Sequence, residues 1–256
     1  MNKIKSGLIY LLVIVTLAGC NIVSYENEET YTLDSTGLTS LTINQDEGDV
    51  TITGVEEVDQ ITVTATFAAL SDQDIEQAKK FSEQNTTLKL TANGDTGQLT
   101  TSVKRGAEVE QGFVHLNIEV PNNLDLQYRQ NEGQLKISAM KSDIRLQHGA
   151  NHLSLVDIEG NVEITDGAGD VTLENMNGEV TIHNNAGTTN VFESSGVLRL
   201  VAGSGNIDFH DHQGDITIRS GGGNINVIHV DGDVTILESR GGSIIVEDIT
   251  GNVTQP

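Results

Sequence analysis

The amino-acid sequence predicts an all-β protein: a parallel β-solenoid (a β-helix or β-roll) that follows an N-terminal β-rich cap containing one helix. The main observation is a nine-residue repeat, Gly-x-φ-x-φ with φ apolar, which alternates like the two faces of a β-strand. From Gly133 onward, twelve consecutive units begin without a slip, at Gly133, Ser142, Asn151, Gly160, Gly169, Gly178, Gly187, Gly196, Gly205, Gly214, Gly223 and Gly232.

A second observation doubles the period of the repeat. Alternate units carry an apolar residue at their eighth place, whereas the units between them carry Gly or Asn there, so the two corners of one coil are expected to differ. We predict two short strands per 18-residue coil, and about seven coils stacked at roughly 4.8 Å. One extra residue at Gly241-Gly242 is expected to shift the frame. The contrasting residues are Met140, Ile158, Met176 and Val230 against Gly149, Gly167, Asn185, Gly203 and Gly221.

Residues 1–19 are predicted to be a cleaved signal peptide. Lys3 and Lys5 precede an apolar run over residues 8–17, which is too short for an ordinary transmembrane helix. The next residues, Leu17-Ala18-Gly19-Cys20, resemble a bacterial lipobox. The resemblance implies cleavage after Gly19, a lipoprotein with diacylglycerol on Cys20, and membrane attachment through that lipid. An uncleaved anchor with an incidental cysteine is the alternative.

Residues 20–34 are predicted to be a tether, 35–132 the β-rich cap and 133–256 the regular solenoid. A capped amphipathic helix is expected near 72–84, because Ser71, Asp72 and Asp74 precede Ile75, Ala78 and Phe81. The cap would cover the open strands at one end of the stack. The expected strands of the cap are Leu41–Ile43, Val50–Thr53, Ile61–Phe67, Thr87–Thr91, Leu99–Val103, Phe113–Val120 and Leu124–Tyr128.

Three features together carry a family resemblance. Gly48-Asp49-Val50-Thr51-Ile52 is an isolated copy of the unit, a strand closes in Val120-Pro121, and serial Gly-Asp/Asn/Glu-Val/Ile-Thr-Ile units follow. These residues resemble the bacterial putative adhesin family, a β-strand-repeat domain of unknown function close to the head GIN domain group. The resemblance covers most of residues 35–256. It implies the fold and an adhesin-like role, and it supplies no catalytic residues.

The charge balance excludes some partners. The chain has 37 acidic and 14 basic residues, a net charge of −23, and without Lys3 and Lys5 the 12 remaining basic residues give −25. Nucleic acid is therefore not an expected partner, nor is an anionic lipid surface bound through a basic face. Since Cys20 is the only cysteine, no disulfide within the chain and no cysteine metal site are expected.

No cofactor is expected; a bound Ca²⁺ ion is the alternative. In calcium-binding nonapeptide rolls the Asp precedes the apolar residue by two positions, whereas Asp170, Asp215 and Asp233 directly precede theirs. We interpret these residues as corner residues.

The seventh places of alternate units form a second column that would lie at an exposed corner. As an alternative, the oxygen atoms of this column would bind a hard cation. The metal candidates in that column are Glu193, Asp211 and His229, with Asp157, Asn175 and Asp248 beside them.

The sequence His210-Asp211-His212 suggests a transition-metal or acid–base cluster. If the strand stays extended, His210 and His212 lie on one side and Asp211 on the other; His212 is expected to be a partly buried filler. Asp208 and Asp211 beside His210 also suggest a β-helix polysaccharide-active enzyme. Against that reading, residues 133–256 contain only two aromatic side chains for sugar stacking, and their 17 acidic against 6 basic residues repel polyuronates.

The sequence therefore predicts a non-enzymatic, lipid-anchored cell-envelope protein. It would present an acidic solenoid as an adhesin-like binding or structural module for an envelope glycan or protein. In a two-membrane bacterium the outer membrane is favoured by resemblance, because Asn21 rather than Asp follows the cysteine. The alternative is a periplasm-facing scaffold or envelope-stress accessory protein. Self-association is expected through the C-terminal edge of the solenoid, where Pro256 is the one blunting residue.

Overall fold

The computed structural model describes residues 22–104 and 111–256, which form 22 strands and one helix. In chain order the elements are β1 (Val23–Asp34), β2 (Ser40–Glu47), β3 (Val50–Val55), β4 (Gln60–Ser71), α1 (Ile75–Asn85), β5 (Thr86–Asn93), β6 (Thr96–Val103), β7 (Gln111–Pro121), β8 (Asp125–Glu132), β9 (Leu135–Met140), β10 (Ile144–Ala150), β11 (Leu153–Glu159), β12 (Val162–Ala168), β13 (Val171–Asn177), β14 (Val180–Ala186), β15 (Thr189–Ser195), β16 (Leu198–Ser204), β17 (Ile207–Gln213), β18 (Ile216–Ser220), β19 (Ile225–Asp231), β20 (Val234–Ser239), β21 (Ile244–Ile249) and β22 (Val253–Thr254).

The strands form two eleven-stranded sheets. Sheet A has the order β1-β4-β7-β3-β9-β11-β13-β15-β17-β19-β21, and sheet B has the order β22-β20-β18-β16-β14-β12-β10-β8-β2-β6-β5. From β8 onward the chain alternates between the sheets, and each strand from β10 onward pairs in parallel with the strand two places earlier, as Val171 in β13 does with Leu153 in β11. The predicted β-solenoid of about seven coils, with two nine-residue units in each coil, is confirmed.

One hydrophobic core runs through the whole stack. It extends from Leu41 in β2 to Ile236 in β20, and in the coils it is built from the two φ columns of the repeat and from eighth-place residues such as Met176. Its members are mostly β-branched or Leu residues, which fit between two pleated faces. The third and fifth residues of successive units therefore account for the packing of the coils.

The two strands of a coil differ at the seventh residue of the nine-residue unit to which each belongs. In the strands of sheet A from β9 to β21, this residue has a positive φ of 48–58°. The left-handed residue acts as a bulge, so the third, fifth and eighth residues of each nine-residue unit in sheet A point inward. The strands of sheet B keep regular alternation, and the third, fifth and seventh residues of their nine-residue units point inward. The left-handed residues of sheet A are Ala139, Asp157, Asn175, Glu193, Asp211, His229 and Asp248.

The corners stack backbone on backbone. Gly187 has φ +121°, and a Cβ built there would lie 1.9 Å from the carbonyl oxygen of Gly169, one coil below. The residue after the corner often supports the next coil: Asp170 Oδ1 accepts from Thr188 N at 2.8 Å, and Asp215 Oδ1 accepts from Asp233 N at 3.0 Å. The interpretation of the Gly-Asp pairs as corner residues is confirmed.

The N-terminal part adds strands to the same sheets. β2 inserts between β6 and β8, and β3 inserts between β7 and β9, so the isolated unit at Gly48 belongs to the stack. The core crosses the predicted boundary at residues 132 and 133 without a break. All seven strands expected in the cap are present. β1, by contrast, occupies most of the predicted tether, because Val23–Asp34 pairs along its whole length with β4.

Helix α1 begins later than the expected 72–84. Asp74 is its N-cap and accepts a hydrogen bond from Gln77 N at 2.9 Å. The helix buries Ala78 and Phe81 against β4 and β1. A search of the described ranges finds no helix with the length and apolar character that crossing a membrane requires.

The frame shift does not lie at Gly241-Gly242, where the sequence placed it. Ile218 pairs with Ile236, but Arg219 pairs with Glu238, so Leu237 in β20 is the extra residue. The residue is accommodated as a bulge because its side chain is 46% exposed and displaces nothing in the core.

Candidate functional site

A column of polar and small side chains lies inside the solenoid along sheet B. It arises because the seventh residues of the nine-residue units in sheet B point inward and stack at the coil spacing. Its members are Gln45, Gln130, His148, Asp166, Asn184, Ala202 and Ser220, all buried.

His148 and Asp166 form a buried pair within this column. His148 Nδ1 lies 2.6 Å from Asp166 Oδ1, and His148 Nε2 lies 2.9 Å from the carbonyl oxygen of Gly133. Both side chains are completely buried. Asp166 Oδ2 and Asn184 Oδ1, on neighbouring coils, have no hydrogen-bond partner among the described residues. The pair has the members of an acid–base dyad, but no substrate reaches it.

A second histidine is buried against sheet A. His212 Nδ1 lies 2.7 Å from Ser194 Oγ, and His212 Nε2 lies 3.1 Å from the carbonyl oxygen of Gly196. A neutral imidazole satisfies both contacts by donating from Nε2 to the carbonyl and accepting from the hydroxyl. Burial lowers the pKa of His212 below its ordinary value, against smaller opposing effects from the hydrogen bond to Gly196 and from Asp215.

The Ser194–His212 contact has the atoms of a nucleophile and its base, but it is not arranged for catalysis. Ser194 is 5% exposed and His212 is 3% exposed. The third group is a backbone carbonyl rather than a carboxylate. We therefore assign both buried histidines to the stability of the core.

Asp211 separates His210 from His212. The expectation that the two histidines share one side is wrong, because Asp211 is left-handed (φ 58°) and reverses the alternation. His212 points into the core and His210 points outward. The expectation that His212 fills the eighth-place column is confirmed, and its burial is complete rather than partial.

His210 is the centre of a small outer patch on sheet A, which we call the His210 patch: Phe192, Asp208, His210 and Asn226. The rings of Phe192 and His210 stack with centroids 6.0 Å apart and an interplanar angle of 16°. His210 Nε2 lies 2.8 Å from Asp208 Oδ1, which also accepts from Asn226 Nδ2 at 2.8 Å. The patch offers one aromatic edge and several hydrogen-bonding groups to solvent.

The predicted metal candidates lie on a neighbouring ridge formed by the left-handed residues of sheet A. His229 lies between two carboxylates, with Nδ1 3.5 Å from Asp211 Oδ1 and Nε2 3.1 Å from Asp248 Oδ2. Along the same ridge, Asn175 donates to Asp157 Oδ1 at 2.6 Å. The structure thus brings Asp211 and His229 together, while Glu193 contributes no bond to them.

The ridge is explained by backbone conformation. Asp, Asn and His tolerate left-handed angles better than most residues, and they fill five of its seven places. Across residues 22–104 and 111–256, no group of three or more His, Cys, Asp or Glu side chains is arranged to hold a metal ion. The lipid-attachment candidate, Cys20, lies outside the described residues.

The outer face of sheet B carries an open groove of about 350 Å³ between neighbouring coils. Arg145 crosses it, with Nε 2.8 Å from Glu163 Oε2. Both side chains are more than half exposed, so their ion pair contributes little to stability.

Sequence reasoning did not single out His148, Asp166 or Asn184. The signal was the seventh place of the unbulged units, which holds His, Asp, Asn, Ala and Ser in succession. The signal is found by noting that the units without an apolar eighth residue keep regular alternation as far as their seventh place, which then faces the core.

The solved structures to which this chain is similar include three chains of low identity. A putative lipid binding protein from Parabacteroides distasonis is 12% identical with a TM-score of 0.45, and covers 90% of this chain and 97% of its own. A putative cell adhesion protein from Clostridium sporogenes is 12% identical with a TM-score of 0.32, covering 87% and 99%. A putative adhesin from Bacteroides fragilis is 13% identical with a TM-score of 0.29, covering 89% and 96%.

No curated protein matches the chain. A family model does match, and it is described as Toastrack DUF4097, a domain family whose description names no activity. The match extends over residues 38–247, and so includes most of both sheets and both buried histidines. The chain therefore belongs to the Toastrack DUF4097 family.

Proposed function

We propose that this protein is a lipid-anchored, non-enzymatic component of the cell envelope that presents its solenoid as an adhesin-like binding module. Attachment would be through Cys20, at the end of Leu17-Ala18-Gly19-Cys20. β1 begins at Val23, so the sheets would start close to the membrane.

The observation that carries the proposal is the distribution of polar groups between the interior and the surface. The side chains with acid–base geometry, His148 with Asp166 and Ser194 with His212, are buried. The outer side chains, in contrast, form two continuous faces along eleven strands each. Such faces bind extended partners through many weak contacts. This supports binding over catalysis.

The His210 patch is the proposed contact point on sheet A. Phe192 supplies apolar area, while Asp208 and Asn226 supply an acceptor and a donor beside it. An aromatic side chain with adjacent hydrogen-bonding groups suits a neutral saccharide or an extended peptide. The net charge disfavours a polyanion.

Protease treatment of intact cells tests the location. Wild-type protein carrying a C-terminal tag is compared with Cys20→Ala, which is expected to leave the membrane fraction. Loss of the wild-type tag from sealed cells supports display outside the cell. Protection until the envelope is opened would favour the alternative of a periplasm-facing scaffold. Wild-type and Cys20→Ala protein in the same soluble fraction would refute the anchor.

A binding screen tests the module itself. Purified protein is applied to arrays of neutral envelope glycans and to envelope extracts, in parallel with Phe192→Ala and His210→Ala. Val201→Ala is the control, because Val201 is an exposed apolar residue (41%) on the outer face of sheet B. Binding that is lost in the two patch variants and kept in Val201→Ala supports the proposal. Equal binding by all four proteins would exclude the His210 patch.

A further inference from the structure

We propose that the turn between β5 and β6 is a chemical modification site, at which Asn93 is converted without an enzyme to aspartate and isoaspartate. The sequence contains two Asn-Gly pairs, Asn93-Gly94 and Asn177-Gly178. Such pairs are prone to this reaction because glycine has no Cβ to obstruct it. The fold leaves the first pair free to react and holds the second in place. The proposal does not depend on the lipid anchor or on the His210 patch.

The reaction uses atoms that are neighbours in an Asn-Gly pair. The main-chain nitrogen of Gly94, after losing its proton to solvent, attacks Cγ of Asn93 and forms a new N–C bond. The bond between Cγ and the side-chain nitrogen breaks, and that nitrogen leaves as ammonia. Water then opens the cyclic imide at either of its carbonyl groups, which gives aspartate or isoaspartate. One water is consumed and one ammonia is released, with no oxidation or reduction.

The turn at Asn93-Gly94 meets the requirements of this attack. Asn93 pairs with Thr96, so Gly94 and Asp95 form a two-residue hairpin loop. Asn93 and Gly94 are exposed, and a Cβ built at Gly94 has nothing within 4 Å. Within residues 22–104 and 111–256, neither the Gly94 N–H group nor the Asn93 side chain has a hydrogen-bond partner. The attacking nitrogen and the side-chain amide are therefore both free to approach each other.

The pair Asn177-Gly178, by contrast, is fixed within the stack of coils. Gly178 N donates to the carbonyl oxygen of Ser195 at 3.0 Å, and Asn177 Oδ1 accepts from Ser195 Oγ at 3.1 Å. A Cβ built at Gly178 would lie 2.2 Å from the carbonyl oxygen of Gly160, one coil below. The Gly178 nitrogen can attack only after this corner opens, and opening part of a packed core costs free energy. This pair is therefore an internal control within the same chain.

The modification would alter the N-terminal part of the fold. The carbonyl oxygen of Asp95 accepts from Thr39 N at 2.8 Å, which connects the turn to the segment before β2. Aspartate at residue 93 adds a negative charge beside Asp95. Isoaspartate also adds one carbon atom to the main chain, which disfavours the pairing of residue 93 with Thr96 across a two-residue loop. Because no step restores the amide, the modified fraction rises with the age of the protein.

Peptide mass spectrometry tests the proposal on the chain from residue 20 with Cys20→Ala, aged in mildly alkaline buffer. Cleavage after Lys89 and Lys104 gives a peptide in which Asn93 is the only asparagine. In the folded protein Asn93 is expected to react at least ~10-fold faster than Asn177, because reaction at Asn177 requires local opening. In urea, where the coils are unfolded, the two residues are expected to react at similar rates. Methylation by an isoaspartyl methyltransferase detects the isoaspartate product.

Asn93→Gln is the matched control, because it keeps the amide but adds a methylene group that disfavours the five-membered imide ring. Circular dichroism establishes that the aged proteins are folded. Reaction of Asn93 ahead of Asn177 in the folded protein, with similar rates in urea and no methylation of Asn93→Gln, supports the proposal. An Asn93 that stays intact in the folded protein while it reacts in urea would overturn it, as would equal rates at Asn93 and Asn177 in the folded protein.

Discussion

His148 Nδ1 and Asp166 Oδ1 lie 2.6 Å apart inside the solenoid and connect two successive coils. Each atom of the contact is supplied by the seventh residue of its nine-residue unit, so the bond forms only when β10 and β12 are in the observed register. A slip of either strand by one residue would turn its own member of the pair outward. The pair therefore acts as a register marker in a stack whose coils are otherwise alike.

Asp166→Ala is expected to lower the free energy of unfolding by about 3–5 kcal/mol, because it leaves His148 without its partner in the core. The double variant His148→Leu/Asp166→Leu, which removes both polar groups, is expected to cost less than Asp166→Ala alone. Denaturant unfolding of the wild type, His148→Leu, Asp166→Leu and the double variant measures the coupling, with Asp166→Ala as a further single variant. Simple additivity of the single variants would contradict the role of the pair.

The acid sensitivity of the fold is expected to depend on His212, whose pKa is lowered by burial. Below the ordinary histidine pKa of about 6.5, His212 is protonated in the unfolded chain but stays neutral in the folded chain. The contribution of neutral His212 to the free energy of unfolding is therefore fully present above that pH, and it is lost as the pH falls toward the pKa of His212 in the folded chain. The slope contributed is at most about 1.4 kcal/mol per pH unit.

His212→Met removes this titration and places in the column a residue that Met140 and Met176 already supply to other coils. Thermal unfolding between pH 4 and pH 8 is expected to show a shallower acid slope for the variant, in line with the same linkage. An unchanged slope would show that other groups govern the acid response.

Gly187→Ala is expected to destabilise the protein by about 2–4 kcal/mol. The added Cβ meets the carbonyl oxygen of Gly169 at 1.9 Å, and the φ of +121° is strained for any side chain. Gly222→Ala is the control, since a Cβ there has nothing within 4 Å. Comparable losses in both variants, measured by denaturant midpoint, would contradict the stacked-corner explanation.

Glu193 lies in the left-handed region with φ 48°. Glu193→Asn is expected to raise the free energy of unfolding by about 0.5 kcal/mol, and Glu193→Val to lower it by more than about 1 kcal/mol, because Asn tolerates this conformation and β-branched residues do not. Calorimetry of the two variants gives the signs. The same sign for both would show that charge, rather than backbone, decides the occupant of the ridge.

The repeat predicts the coils because core residues such as Val171 and Ile216 occupy the same place in successive nine-residue units. The apolar pattern also records the eighth-place residues, such as Met176, that the bulges turn inward. The apolar pattern does not show that φ is positive at Asp211. The expectation that His210 and His212 share one side was therefore wrong. β1 was missed because Asn27 and Glu29 interrupt the apolar alternation on its inner face, and because its pairing with β4 is long-range.

The candidate site was less predictable than the fold. His210 and Asp208 are visible in the sequence, but their contact with Phe192 depends on stacking between coils. The partnership of His148 with Asp166 joins one coil to the next, at places where the repeat tolerates any small or polar side chain.

The left-handed bulge also limits how a protein of this kind can change its length in evolution. Bulged and regular strands alternate, so deleting or duplicating a single nine-residue unit would move every later strand to the opposite sheet. Its left-handed residue would then meet unbulged neighbours, and the seventh and eighth side chains would exchange inward and outward positions. Gain or loss of two units together preserves the cross-section. Homologues of different length are therefore expected to differ by whole coils, with single-residue insertions confined to exposed bulges such as the one at Leu237.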